Sequence, residues 1–579
     1  MKLYNSTHNF YRGDSCSILD NYNSTNEISS LTLVKNEEFG FFASFNVPNE
    51  SCVNLMQNYD LPWWGLDRRY RLAVESDIPG ISPHLLEYVK DDDGLYKADI
   101  ILKSQSHNYP KGEIPIFISG QVPKSFQGDS FVISLKLYES KGYEKENLTD
   151  SIDVNVNVLD FYLDNEFQDS FFLDLWQHPC SWARVYDVEY YSDEHFKIIE
   201  NYLNGMKAIG QKVINLVVSD FPWAGQKCFD IDRNASRLYE YNIIKVSRKN
   251  GKLALDFSNL DRYVELCFQI GIQDEINLFG LIGNWHGYDF GSPLEDYIDP
   301  IRVKVYDEDE KLYDFLRDKD ELKTYISMIF DHLHERDYLK ITKIIGDEPG
   351  SLEKFQSFSS FIESCTTHEV VFKYALHSPE FLKEYKGNLD SFSINTILMG
   401  DYCKDGELVG KLADSFPEMT WYCCCFPDTL NSFIKNPLIE QRYFGLYTYL
   451  FKMKGMLRWA YGIFVENVFE DIVYKPEKWP AGDMMLVYPG KDGKPLHSLR
   501  ERNMFYGIQD FNILKIIEKQ NNNLYSEIRS EFQINHLISY ENEDIVLDKY
   551  VDFNDYLKTR NAILEAYIKE AKNSGNKLD

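Results

Sequence analysis

The sequence predicts an α/β plus β protein: a (β/α)8 TIM-type barrel, preceded by an N-terminal β-sandwich and followed by a helical C-terminal tail. Three observations predict it. Up to about Asp160 the chain is a series of short alternating strands separated by Gly, Pro and Asn clusters. From Phe161 strand-like runs alternate with long amphipathic helices, the pattern of βα units on a parallel sheet. Eight such units in roughly 300 residues match the length of a closed barrel. The 579 residues exceed one ordinary domain, and the changes of pattern divide them into 1–160, 161–517 and 518–579.

In the first part, Leu31 to Val34, Phe39 to Val47, Phe131 to Tyr138 and Ile152 to Leu159 alternate apolar and polar residues. The run Asp91-Asp92-Asp93-Gly94 lacks calcium-loop spacing and reads as an exposed turn. The barrel strands are expected to begin at Phe171, Val213, Ile276, Ile341, Val370, Phe392, Trp421 and Met456. Between them, Leu260, Tyr263, Val264, Cys267 and Phe268 form one helical face that Gly271 ends. Leu322, Tyr325, Ile326, Ile329, Phe330 and Leu333 form another, just ahead of the fourth strand. From Asn512 the tail is helical and charged, with a last amphipathic helix over Tyr556 to Ala571, and is taken as packing.

Composition narrows the function. Hydrophobic residues make up 44% and aromatic residues 15%, enough for a large core and rich in rings of the kind that stack on sugars or bases. Acidic residues outnumber basic ones 91 to 61, and a formal charge of -30 disfavours nucleic-acid and membrane-surface partners. Neutral substrates fit better. No run of eighteen apolar residues exists and Met1 to Ser30 is polar, so the reading is a soluble cytoplasmic protein without membrane insertion. Cys423, Cys424 and Cys425 lie in an apolar run with neither disulfide nor zinc spacing, and are expected as buried thiols. No His-Glu-x-x-His, phosphate loop, dinucleotide fingerprint or Gly-x-Ser-x-Gly elbow occurs, so no metal or cofactor is expected.

The chemistry concentrates where Ile341-Thr342-Lys343-Ile344-Ile345-Gly346 runs into Asp347-Glu348-Pro349-Gly350. In mid-strand two adjacent acids point to opposite faces, but at a strand end, where the chain turns, both can lean into one pocket. Neighbouring carboxylates repel, which favours one ionised and one protonated member. In a barrel, catalytic residues lie at the C-terminal strand ends, and Asp347-Glu348 closes strand four. Other strand ends supply Trp176, then Asn284 and His286, then Tyr422, then Arg458, Trp459 and Tyr461, followed by Asp483. Rings bind the apolar faces of pyranoses, and Asn, His, Asp and Arg hydrogen-bond their hydroxyls.

These residues, in this order, resemble glycoside hydrolase family 123. The blocks that carry the resemblance are Leu175 to Pro179, Gly346 to Pro349, Asn431 to Glu440, Gly455 to Tyr461, Gly482 to Gly490 and Ser498 to Arg502. They span most of Phe161 to about Ile517, and the N-terminal part is similar to the family's accessory domain. The resemblance implies an exo-acting β-N-acetylgalactosaminidase that works with retention by substrate-assisted catalysis. It implies Glu348 as general acid/base, and Asp347 as the group that orients the 2-acetamido function. It also implies substrates such as glycosphingolipid oligosaccharides that end in β-linked N-acetylgalactosamine. Trp459 is expected as the platform under the sugar, and Tyr422 or Tyr461 as the hydroxyl on the acetamido oxygen. Asn284, His286 and Asp483 are expected as contacts to sugar hydroxyls.

Two readings compete. A non-catalytic carbohydrate-binding protein would keep the rings but would not need both carboxylates. A retaining β-hexosaminidase or β-galactosidase would need its own nucleophile, with Asp483 or Glu466 as candidates. The oligomeric state is open, and exposed sandwich edges are compatible with a homodimer.

Overall fold

The computed structural model describes residues 1–13, 27–56, 68–142, 144–222, 240–282, 301–316, 318–348, 352–376, 391–396, 414–465, 468–469, 479–531, 538–541, 544–547 and 553–574. The centre of the molecule is one eight-stranded parallel sheet. In chain order its strands are β1 (Phe172–Leu175), β2 (Val213–Val217), β3 (Glu275–Phe279), β4 (Thr342–Asp347), β5 (Phe372–Leu376), β6 (Ser391–Asn395), β7 (Thr420–Cys423) and β8 (Gly455–Arg458). Their spatial order runs 1-8-7-6-5-4-3-2, so each strand lies beside its sequence neighbour and β8 returns to β1. All eight expected strands are present, each starting within two residues of the expected position.

Between β1 and β2 the backbone ladder shrinks to one bridge, with Lys212 N donating to Leu173 O at 3.0 Å, and side chains supply further bonds. Gln177 N donates to Asn215 Oδ1 and Asn215 N donates to Gln177 Oε1, both at 2.9 Å. Gln211 repeats the device one step lower, accepting from Leu175 N at 2.9 Å and donating to Val213 O at 2.7 Å. Three carboxamides thus stand in for peptide groups, and every buried backbone donor named finds an acceptor.

Helices surround the sheet because their apolar residues recur on one stripe. The helix over Ser258–Ile270 buries Leu260, Tyr263, Val264 and Cys267 and ends at Gly271, whose φ of 94° is left-handed. The helix over Lys319–Glu335 buries all six expected residues, and Asp318 caps it by accepting from Glu321 N at 2.8 Å. The helices over Leu438–Leu450 (α1) and Leu499–Glu518 (α2) are buried almost throughout. They cross at Gly445 and Gly507, where a Cβ on Gly445 would fall 1.7 Å from Gly507 O.

Ahead of the barrel lie a four-stranded sheet (Lys2–Asn5, Glu38–Val47, Gly112–Gln121, Ser82–His84) and a six-stranded one built on Arg68–Ser76, Ser130–Lys141 and Asn147–Tyr162. The acidic turn at Asp91 to Gly94 is exposed at Asp92, Asp93 and Gly94 as expected, but not at Asp91. Asp91 is buried against Lys97 at 2.5 Å, and Asp92 Oδ2 accepts from Ala481 N at 2.9 Å, so the turn docks onto the barrel. The tail also does more than begin at Asn512. That residue is buried inside α2 and accepts from Phe171 N at 2.8 Å, since its polar side chain satisfies a backbone donor at the barrel base. In the last helix (Phe553–Ser574) Arg560 bridges Glu37 of the sandwich at 2.6 Å and Asp510 of α2 at 2.9 Å. Cys423 is buried as expected, whereas Cys424 and Cys425 are only half-buried because the chain leaves β7 at that point. Among the described residues no helix is long and apolar enough to cross a membrane.

Candidate active site

Side chains alternate along each strand, so inward positions fall every second residue. Toward the C-terminal ends these are Trp176, Val217, Phe279, Ile345, Ala375, Tyr422 and Leu457, which form an apolar cluster separate from the main core. Trp176 and Phe279 meet edge to face at 4.7 Å, and half-buried Trp459, Trp479, Phe221 and Cys424 pack around the rim. This is the floor of the barrel mouth.

Asp347 shares the inward parity of Ile345, and by strict alternation Glu348 would point out. It does not. Glu348 has a φ of 47°, a left-handed conformation unusual for a residue with a Cβ, and its carboxylate returns to the inner side. There Tyr422 Oη donates to Glu348 Oε1 at 2.6 Å. Burial raises the Glu348 carboxyl above the ordinary range, and the tyrosine hydrogen bond pulls it partly back. The Tyr422 hydroxyl is pushed well up by burial first, then by the charges of Glu348, Cys424 and Asp347. Asp347 and Glu348 therefore act on the same hydroxyl. A carboxyl poised to hold a proton beside a second acid, on an aromatic floor, can protonate a leaving oxygen.

The opposite wall is built on Asp483. It is fully buried, at 2.7 Å from Arg458 Nη2, and accepts from Trp459 Nε1 at 3.2 Å, which fixes the plane of that indole. Burial raises the Asp483 carboxyl, and the Arg458 guanidinium opposes the rise. Arg500 holds the backbone on either side of Asp483, donating to Gly482 O at 3.1 Å and Met485 O at 3.0 Å. Gly482 has a φ of 91°, and a Cβ there would lie 2.7 Å from Arg500 Nη1. Arg500 is held in turn by Asp99 of the sandwich at 3.0 Å, which also accepts from Tyr488 Oη at 2.7 Å.

The catalytic-domain model of glycoside hydrolase 123 matches residues 176–517, more than half of the chain. The chain belongs to glycoside hydrolase family 123. It is a glycoside hydrolase, and its substrate is a carbohydrate. In fold the family 123 chain is similar to a solved family 123 glycoside hydrolase from Clostridium perfringens, studied for glycolipid glycan hydrolysis. The TM-score is 0.71 at 18% identity, covering 99% of this chain and 98% of the other. A putative glycoside hydrolase from Bacteroides vulgatus aligns over 85% of this chain and 79% of its own at 10% identity, with a TM-score of 0.32 too low to carry an argument. No curated protein matches in sequence.

Within this family 123 fold the structure brings Asp347, Glu348 and Tyr422 together, with Trp176 in the floor and Trp459 on the rim. Tyr461 goes elsewhere. The strand ends at Arg458, alternation lapses, and the Tyr461 hydroxyl donates to Glu501 Oε1 at 2.9 Å in the main core. Arg458, expected as a substrate contact, is fully buried and donates to Asp483 Oδ1 at 2.7 Å. The Tyr422 hydroxyl, expected on the acetamido oxygen, donates to Glu348. Asp483, expected on a sugar hydroxyl, holds Arg458 and Trp459 through Oδ1 and leaves its buried Oδ2 without a hydrogen-bond partner among the described residues. Asn284, His286 and Glu466 lie outside the described residues. Sequence reasoning missed Asp92, Asp99 and Arg500, which join the sandwich to the Asp483 loop, and Glu240. The last is fully buried, accepts from Cys180 N and Ser181 N at 2.9 and 3.1 Å, and is raised by burial to about 7. No local signal marks such residues, because their partners lie far along the chain, 389 positions for Asp92 and Ala481 and 60 for Glu240 and Cys180.

Proposed function

We propose that the chain removes terminal non-reducing β-linked N-acetylgalactosamine from glycans, with retention and with the substrate's own 2-acetamido group as nucleophile. The adjacency of Asp347 and Glu348 at the end of β4 carries this reading. A carboxylate pair that acts across a sugar sits about 5–5.5 Å apart, usually on separate strands, whereas neighbours at one strand end suit a substrate that supplies its nucleophile. Asp483 as an enzymic nucleophile fits poorly, since it is fully buried and tied to Arg458 and Trp459.

In the first step Glu348 gives its proton to the glycosidic oxygen while the acetamido carbonyl oxygen attacks the anomeric carbon. The leaving group departs as an alcohol and an oxazolinium forms. Asp347 orients the acetamido N–H and balances the charge that builds on it. In the second step ionised Glu348 takes a proton from water as the water attacks the anomeric carbon, so two inversions give retention. Trp459, its indole fixed by Asp483, suits the apolar face of the sugar. Glycosphingolipid oligosaccharides are the proposed natural glycans, a choice supported by the glycolipid glycan hydrolysis described for the Clostridium perfringens relative.

The test is a matched panel of aryl β-glycosides. Fast hydrolysis of the N-acetylgalactosaminide, slower hydrolysis of the N-acetylglucosaminide and none of the galactoside is the expected result. Turnover of the galactoside would require an enzymic nucleophile and would end the substrate-assisted reading.

A further inference from the structure

Two hairpins inserted beyond the C-terminal ends of β2 and β3, Lys245–Lys249 with Lys252–Asp256 and Lys304–Asp307 with Leu312–Phe315, join into a four-stranded sheet on the barrel rim. Against it lies a groove of about 710 Å³, within the usual size of a small-molecule site. Its walls are tyrosines. Tyr190 and Tyr241 pack at 5.0 Å and Tyr306 and Tyr313 at 5.1 Å, with the Lys304 ammonium over both Tyr241 (5.7 Å) and Tyr313 (5.1 Å). Tyr313 is 67% exposed and Tyr306 37%, two large rings presented to solvent on an inserted sheet. Asn242, Ser247, Asp256 and Asn259 interleave polar groups between the rings. Ring faces interleaved with hydrogen-bonding side chains, Lys304 and Asp256 among them, suit a saccharide better than a lipid chain, which needs a dry wall, or a polyanion, which the charge of -30 repels.

One shared ring joins the groove wall to the floor of the barrel mouth. Phe221, four residues past the end of β2, packs on the floor cluster on one side and on Tyr241 at 5.2 Å on the other. Asp220 beside it ties the two insertions together, accepting from Asn242 N at 3.2 Å and Lys304 N at 2.7 Å. β2 stands two strands from β4 in the sheet, on the order of 10 Å from the Glu348 strand at ordinary strand spacing.

We propose that this tyrosine groove binds the leaving-group side of the substrate: the neutral sugars on the reducing side of the scissile bond. The inference rests on the hydrolytic reading above and adds where the rest of the glycan lies. Its test compares wild type with the double variant Tyr306→Ala/Tyr313→Ala on two substrates, an aryl β-N-acetylgalactosaminide and a neutral tetrasaccharide ending in the same sugar. The expected result is a KM for the tetrasaccharide raised about ten-fold, with kcat/KM on the aryl glycoside unmoved. Equal KM values on the tetrasaccharide would overturn the groove assignment and leave the catalytic reading standing. If wild type hydrolyses neither substrate, the catalytic reading has failed, and calorimetric titration with the tetrasaccharide decides the groove alone. Binding about ten-fold weaker in the double variant supports it, and equal binding overturns it.

Discussion

The barrel interior holds two groups of carboxylates that differ in what they face. In the lower layer Lys373 Nζ lies 2.6 Å from both Asp174 Oδ2 and Glu275 Oε1, with Lys343 2.8 Å from Glu275 and Asn277 donating to Asp174 at 2.9 Å. At the mouth, five residues beyond Lys343 of β4, Glu348 faces a tyrosine hydroxyl. Burial is deep in both places. In the lower layer the lysines hold Glu275 below the ordinary carboxylate range, whereas at the mouth burial lifts Glu348 above it. Two lysines outweigh burial at Glu275, whereas Asp174, which shares only Lys373 and faces the charge of Glu275, is raised by burial as Glu348 is.

The sharpest way to break the comparison is to remove the proton donor. Glu348→Gln is expected to lower kcat/KM on an aryl β-N-acetylgalactosaminide by about 10³-fold, with folded-state circular dichroism unchanged. Asp347→Asn should fall into the same range, and near wild-type turnover in either purified variant would contradict the assigned roles. In the lower layer, Lys373→Met leaves two buried carboxylates without their shared cation. A stability loss of about 3–5 kcal/mol is expected in urea unfolding, and a variant as stable as wild type would show that the pair is neutral without lysine.

A subtler change sharpens the comparison at the mouth. The Tyr422 hydroxyl donates to the ionised Glu348 carboxylate and so lowers its titration point against the upward pull of burial. Protonation by Glu348 needs the acid form, so activity falls as pH rises through that point. Tyr422→Phe removes the donor, the ionised form loses a partner, and the falling alkaline limb of kcat/KM is expected to move to higher pH. A limb that moves down would reverse the sign of the interaction. The smallest effect belongs to Asp92→Ala, which removes one acceptor from the Ala481 N–H and should cost about 1 kcal/mol, read as a few-fold loss in kcat/KM.

The strands and the Asp347-Glu348 pair were legible because they depend on local periodicity and on a short apolar run ending in Pro-Gly. The same logic misplaced Tyr461, since alternation continues in the sequence after the strand has stopped at Arg458. Periodicity leaves helix α2 unmarked as an element, because its buried Arg500, Glu501, Asn503, Gln509 and Asp510 break up the apolar stripe. Arg500 is satisfied by Asp99, and Arg442 meets Asp510 at 2.7 Å, contacts set by tertiary packing that no spacing rule contains. The lower layer escaped for the same reason: Asp174, Glu275 and Lys373 converge from three strands.

The seam between β1 and β2 has a consequence for how this protein ages. Closing a barrel with backbone ladders uses groups that cannot be chemically altered without cutting the chain, but Gln177, Gln211 and Asn215 close it with side-chain carboxamides. Spontaneous deamidation of any of them would turn a group that both donates and accepts into one that only accepts, and would place a charge inside the wall. Old preparations should therefore open first along this line, seen as faster deuterium uptake at β1 and β2 than at the six strands joined by backbone alone.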